Sequence, residues 1–202
     1  MEPEIENTLN KLSLNDLCTF IVNKHHSFEQ NELSLLKVYL NSAVKIDGGK
    51  FPEIGSLKDA FDKMYPVLEN HLKKEKHLLF PISKELQEES SFFSQDTLLL
   101  IKNSVEQLIA EHGKLEKMLA EMKLLINAPR LKNIVSPTGK LCLLELTRLY
   151  IDVEKMFAKE EEILFPKLLE LVHFHNGEKV KAEKNLNEPG NTIKKNQTVK
   201  PE

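Results

Sequence analysis

The sequence predicts an all-α fold, an antiparallel up-down-up-down bundle of four helices. Four long segments repeat their apolar residues at steps of three and four, the recurrence of one buried helix face. Short connections rich in Gly, Pro and Ser separate them, as suits antiparallel neighbours, and no useful stretch alternates in the manner of a strand.

The first helix is expected from about Leu14 to Lys45. Ser13 or Asn15 is available as its N-cap, and Asp47-Gly48-Gly49 ends it ahead of Pro52. Its inward stripe reads Leu14, Leu17, Ile21, His25 and Phe28, then Leu35 and Tyr39. Ser56 is the expected cap of the second helix, with Asp59 placed like the acid of a capping box, and this helix runs to about Gln87. Its stripe is Leu57, Phe61, Met64, Leu68, His71, Glu75 and Leu78. Pro81, with no N–H to donate, predicts a kink or an early stop near its end. Ser94 opens the third helix, which ends near Asn127 ahead of Pro129 and buries Leu98, Ile101, Val105, Leu108, His112, Leu115, Leu119, Met122 and Ile126. The fourth opens at Ser136-Pro137, a cap followed by proline at the first helical position. It runs to about His173, with Pro166 late in it and the stripe Leu146, Tyr150, Val153, Phe157, Glu160 and Leu164.

A chain of 202 residues allows one domain with extensions. Residues 1–12 are expected to be a flexible N-terminus, 13–175 the bundle, and 176–202 a disordered polar tail rich in Lys, Asn and Glu. The net charge of -3, from 28 basic and 31 acidic side chains, provides no bulk attraction to nucleic acid or to an anionic membrane, and neither partner is expected. Cys18 and Cys142 fall on different helices without a Cys-x-x-Cys spacing, which suggests neither a disulfide framework nor a zinc knuckle. The acidic start lacks the basic and apolar regions of a signal peptide, and no apolar run is long enough to span a membrane, so a cytoplasmic protein is expected.

Histidine and glutamate stand where the inward stripes call for leucine: His25, His71 with Glu75, His112, and Glu160, one or two on each helix. Burying an ionised carboxylate without a partner costs several kcal/mol, and a buried imidazole must find hydrogen bonds. Groups of this kind on the inner faces of four helices call for a common partner, and a metal ion is the obvious one. The spacing His71-x-x-x-Glu75 sets two ligands one turn apart on a single face. Imidazole with carboxylate suits iron or manganese, and inward carboxylates from two helices can each bridge two ions. Counting from the turns, His71 and His112 are level, whereas Glu160 needs a climbing connection between the third and fourth helices. The chain also half-repeats. Aligning Leu79-Phe80-Pro81 with Leu164-Phe165-Pro166 sets Glu75 over Glu160 and His71 over Met156. His77, Glu161, Glu162 and the lysines Lys73, Lys74 and Lys76 fall on solvated faces in this reading, and His173 and His175 at a fraying helix end.

With His25-His26 in the first helix, His71-x-x-x-Glu75 ahead of Leu-Phe-Pro in the second and Glu111-His112-Gly113 in the third, the chain resembles the hemerythrin-like (HHE) domains. More narrowly it resembles the di-iron proteins of iron–sulfur cluster repair, over residues 15–172 or so. The resemblance implies a non-haem di-iron centre with His25, His71 and His112 as histidine ligands and Glu75 and Glu160 as bridging carboxylates. It implies a role in nitrosative or oxidative stress, with small diatomic or oxo ligands and damaged iron–sulfur proteins as partners. Two departures stand out. Asp47 occupies the position of a histidine ligand before Gly48, and Met156, a soft thioether poorly suited to ferric iron, replaces the histidine four residues before the second glutamate. Asp47 is expected to serve as a ligand, and Met156 to leave one metal position weakened. The competing expectation is a metal-poor or mononuclear descendant that works as a sensor or regulatory binding module.

Overall fold

In a computed structural model, which describes residues 8–88 and 93–187, the chain is helical throughout and no strand occurs among the described residues. The first predicted helix is α1 (Leu14–Ile21), a π-helical turn (Val22–His26) and α2 (Ser27–Asp47). The second is α3 (Glu53–Lys74), a π turn (Glu75–Leu79) and α4 (Phe80–Leu86). The third is α5 (Gln95–Ile126) without interruption. After a 3-10 turn (Pro129–Asn133), the fourth is α6 (Pro137–Lys159), a π turn (Glu160–Leu164) and α7 (Phe165–Asn187).

Serine starts three of these helices by accepting a backbone N–H in its side chain: Ser13 from Asp16, Ser94 from Thr97 and Ser136 from Gly139. Ser56 does not cap the second. That helix begins earlier, at Glu53 behind Pro52, because proline presets the helical φ and has no N–H to leave unsatisfied.

Packing proceeds around a cycle: α2 lies against α3 and α6, α3 against α5, and α5 against α6 and α7, while α1 meets α4 and α4 meets α7. Leucine dominates the shared core, with Phe61, Phe157 and Phe165 among its largest fully buried side chains. One end of the molecule is tied where Arg130 donates to the Lys50 carbonyl at 2.9 Å and pairs with Glu53 at 3.5 Å. The other end is tied where His175 donates to the Leu86 carbonyl at 2.8 Å and Gln87 accepts the Asn15 N–H at 2.8 Å.

In the first and second limbs the expected stripe holds until the π turn and then changes phase, whereas in the fourth Leu164 stays inward as expected, with Ile163 beside it. His25 is buried, but beyond it Leu33, Leu36 and Leu40 face inward while Leu35 is half exposed. His71 and Glu75 are buried, but the next inward residue is Leu79 and Leu78 is exposed. A π turn holds one residue more than an α turn, so the inward register moves on by one. Phe28 carries a side chain outside the described ones. The ends also differ from expectation. Leu9 is buried in the core and Lys167 donates to the carbonyls of Asn10 and Leu12, so residues 8–12 pack rather than trail. The last helix continues past His175 to Asn187, its Glu, Lys and Ala residues being good helix formers. Residues 1–7 and 188–202 of the two expected flexible segments lie outside the described ones.

Candidate metal centre

Each π turn carries one of the polar residues that break the stripes: His25, Glu75 and Glu160. In the second and fourth limbs the cause is local. Pro81 and Pro166 have no N–H, the α-helical ladder fails there, and the N–H of the preceding Phe80 or Phe165 reaches five residues back, to the carbonyl of Glu75 or Glu160. The half-repeat read from Leu-Phe-Pro thus reappears as a repeated backbone geometry that begins at each glutamate. The 3-10 turn, with its steeper rise per residue, lies in the connection that Glu160 needed to climb.

His71, Glu75, His112 and Glu160 come together with no exposure to solvent. One ligand atom from each lies within 4.8 Å of all the others. His71 Nε2 stands 3.5 Å from Glu75 Oε1, and His112 Nε2 stands 3.3 Å from Glu160 Oε2. The outer nitrogens are equally constrained: His71 Nδ1 lies 3.2 Å from Glu111 Oε2 and His112 Nδ1 lies 2.7 Å from Glu161 Oε1. A ring that donates from Nδ1 to a carboxylate presents a lone pair at Nε2. The two Nε2 atoms face each other at 3.0 Å, where two lone pairs repel unless a proton or a metal cation lies between them. A carboxylate on the outer nitrogen also raises the basicity of a metal-binding imidazole. Phe157 stacks on His112 with centroids 3.9 Å apart and stands edge-on to His71, closing the apolar wall of the site.

The field in this pocket favours positive charge on one ring only. Burial, reinforced by the neighbouring His112, pushes His71 down to about 4. Burial also opposes a charged His112, but Glu160, Glu161 and Glu75 together outweigh it and hold that imidazole above its usual range. Glu111 is held below the usual carboxylate range: burial works against this, and the ammonium of Lys74 and the His71 ring overcome it. Lys74 forms an ion pair with Glu111, and Gln107 donates to the same carboxylate at 3.2 Å. Two imidazoles and two carboxylates, converging in a dry site, fit a transition-metal cation of the iron or manganese type.

The remaining expected ligands are elsewhere. His25 is buried, but its Nδ1 meets Asp152 Oδ2 at 3.0 Å and its Nε2 meets the Lys159 ammonium at 3.2 Å. Asp47 lies at the far end of the bundle, where α2 turns into α3. Its carboxylate accepts from the Ser136 hydroxyl, whose oxygen caps α6, a site where the positive end of the helix dipole favours an anion. His71, by contrast, is about 27 Å along the second limb from Glu53 at 1.5 Å per residue. Met156 is fully buried one turn before Glu160.

A family model of the hemerythrin HHE cation-binding domain matches residues 21–168. The chain belongs to the hemerythrin HHE family. The match spans all four limbs and every clustered residue, and this HHE chain carries a His/Glu group able to hold a metal cation. No curated protein matches the chain.

Sequence reasoning missed the residues that orient the rings. Periodicity puts Glu161 and Lys74 on solvated faces, yet one holds His112 and the other steadies the acid that holds His71. In the sequence Glu111 is only a neighbour of His112, whereas in the structure it meets His71 across the helix interface. Periodicity marks inward positions, and these side chains reach the rings from behind. Burial pushes the Cys18 thiol up to about 12, with Glu75 and Glu160 adding to it, so this cysteine near the centre is held as a neutral thiol. Both cysteines are free, in keeping with the absence of a disulfide framework in the sequence.

Proposed function

We propose that this chain is a cytoplasmic non-haem iron protein in which His71, Glu75, His112 and Glu160 hold the metal, within an up-down-up-down four-helix bundle. The observation that carries the reading is the pair of facing Nε2 atoms, 3.0 Å apart and flanked by two buried carboxylates. When bound, iron would supply a change of oxidation state and a point of attachment for a small diatomic or oxo ligand. The residues do the rest: Glu111 and Glu161 set the rings, the glutamates neutralise the cation, and Phe157 and Phe165 keep the site dry. Among the roles that the family resemblance implies, we assign this one to nitrosative and oxidative stress, with damaged iron–sulfur proteins as the beneficiaries. The cycle of helix contacts supports the bundle topology, and the mixed nitrogen and oxygen donor set supports iron or manganese over a thiolate-bound metal.

The test is Glu75→Ala in protein prepared anaerobically from iron-supplied cells. The expected result is loss of bound iron, measured per chain by mass spectrometry, with the far-ultraviolet circular dichroism of the wild type. A variant that keeps its full iron content would overturn the assignment.

A further inference from the structure

His25 is buried in the first limb's π turn and is joined through Lys159 to the residue next to Glu160, yet both of its nitrogens are committed. Nδ1 meets Asp152 Oδ2 at 3.0 Å, and Nε2, the atom a metal would take, accepts from Lys159 Nζ at 3.2 Å. The same ammonium donates to the Lys155 carbonyl at 2.9 Å and is nearly buried, only 7% exposed. Asp152, Met156 and Lys159 follow one another at steps of four and three, so a single face of α6 supplies both partners of His25 and the thioether between them. Lys159 is the last residue of α6 and Glu160 the first of the π turn, and both are buried at that junction.

We propose that the Lys159 ammonium takes the place of a second metal ion beside His25, so that the centre holds one ion and not two. This rests on the iron reading above and narrows it. Charge supports it: one divalent ion together with the Lys159 ammonium balances the carboxylates of Glu75, Glu160 and Asp152. A second divalent ion would bring positive charge beyond these carboxylates into a site fully buried from solvent, which is costly. Donor chemistry supports it as well, since His25 has no lone pair left to offer while Lys159 holds it, and Met156 is too soft a donor to replace an imidazole. A single ion changes its oxidation state one electron at a time, which suits reversible binding of a small ligand or sensing of it better than two-electron chemistry shared between two ions.

The full chain is loaded anaerobically with ferrous iron alone, and bound ions per chain are measured by mass spectrometry. The electron paramagnetic resonance spectrum is recorded after mild oxidation. One ion per chain and the signal of an isolated high-spin ferric ion are expected. His25→Ala should keep that ion, with an affinity loss well below the roughly tenfold drop that follows removal of a residue that orients a metal ligand. The double variant Met156→His with Lys159→Ala should take up a second ion and lose the ferric signal through coupling between the two.

Two ions in the wild type, loss of the ion in His25→Ala, or a well-folded double variant that stays at one ion would each overturn the Lys159 assignment. Should the double variant fail to fold, the wild-type stoichiometry and His25→Ala still decide the matter. No ion in a wild type of normal helical content would overturn the iron reading itself, and this inference with it. That outcome is distinct from two ions, which would leave the iron reading intact.

Discussion

At the scale of single residues, the candidate centre is shaped by what stands behind its imidazoles as much as by the imidazoles themselves. A free imidazole can present either nitrogen. Here Glu111 and Glu161 take the Nδ1 protons and leave both Nε2 atoms pointing inward. Glu161 is the sharper case because it is substantially exposed and touches only the outer edge of His112. We expect Glu161→Ala to retain the fold and to lower metal affinity by about 10- to 100-fold, as loss of such outer partners does elsewhere. Competition titration against a chelator of known affinity measures this, and an unchanged constant would mean that the ring is oriented by packing on Phe157 alone. His112 itself was legible in the sequence, since Leu108, Ile109 and Leu115 surround it at helical spacing.

The π turn is the device at the scale of elements. It puts Glu75 and Glu160 at the entry of matching irregular turns, each followed by Phe-Pro, and it advances the inward register so that Leu79, not Leu78, returns to the core. Proline at position 81 was legible as a disturbance, but periodicity does not say whether a helix answers a missing N–H by stopping, kinking or widening. The start of α6 is the other critical element. Ser136 accepts the Gly139 N–H at 2.9 Å while donating to Asp47, and a methyl group on Gly139 would come within 2.6 Å of both Asp47 Oδ2 and the end of Ile134. Gly139→Ala is therefore expected to destabilise the protein by about 1–3 kcal/mol, the usual cost of overpacking a tight site. Thermal unfolding would show the fall in Tm, and metal stoichiometry should not change because the centre is remote from this turn.

For the whole molecule, a metal held as proposed would be coupled to the fold through the limbs that supply its ligands. His71 and Glu75 come from the second limb, His112 from the third and Glu160 from the fourth. An ion bound only by the folded state would therefore cross-link three limbs and add stability by mass action, about 2.7 kcal/mol at a free metal concentration one hundred times Kd. The expected observation is a Tm that rises with added ferrous iron under anaerobic conditions and falls when a chelator is added. A Tm indifferent to both would show that the cluster is satisfied by its own hydrogen bonds. No helix among the described residues is long and apolar enough to cross a membrane.

The sequence by itself determined the helical fold, the serine caps that open three limbs, and the inward placement of His71, Glu75, His112 and Glu160, because an apolar stripe of period 3.6 states which way a side chain faces. Only the tertiary structure decided which of those inward groups meet. Depth along a limb depends on turns whose rise periodicity does not report, and so Asp47, plausible by spacing, lies roughly 27 Å along the bundle from the cluster. Only the tertiary structure, too, placed Lys159 on His25 and carboxylates behind both rings. Those contacts join residues distant in the chain through side chains outside the apolar stripe, and hydrophobic pattern carries no information about what reaches an imidazole from its outer edge.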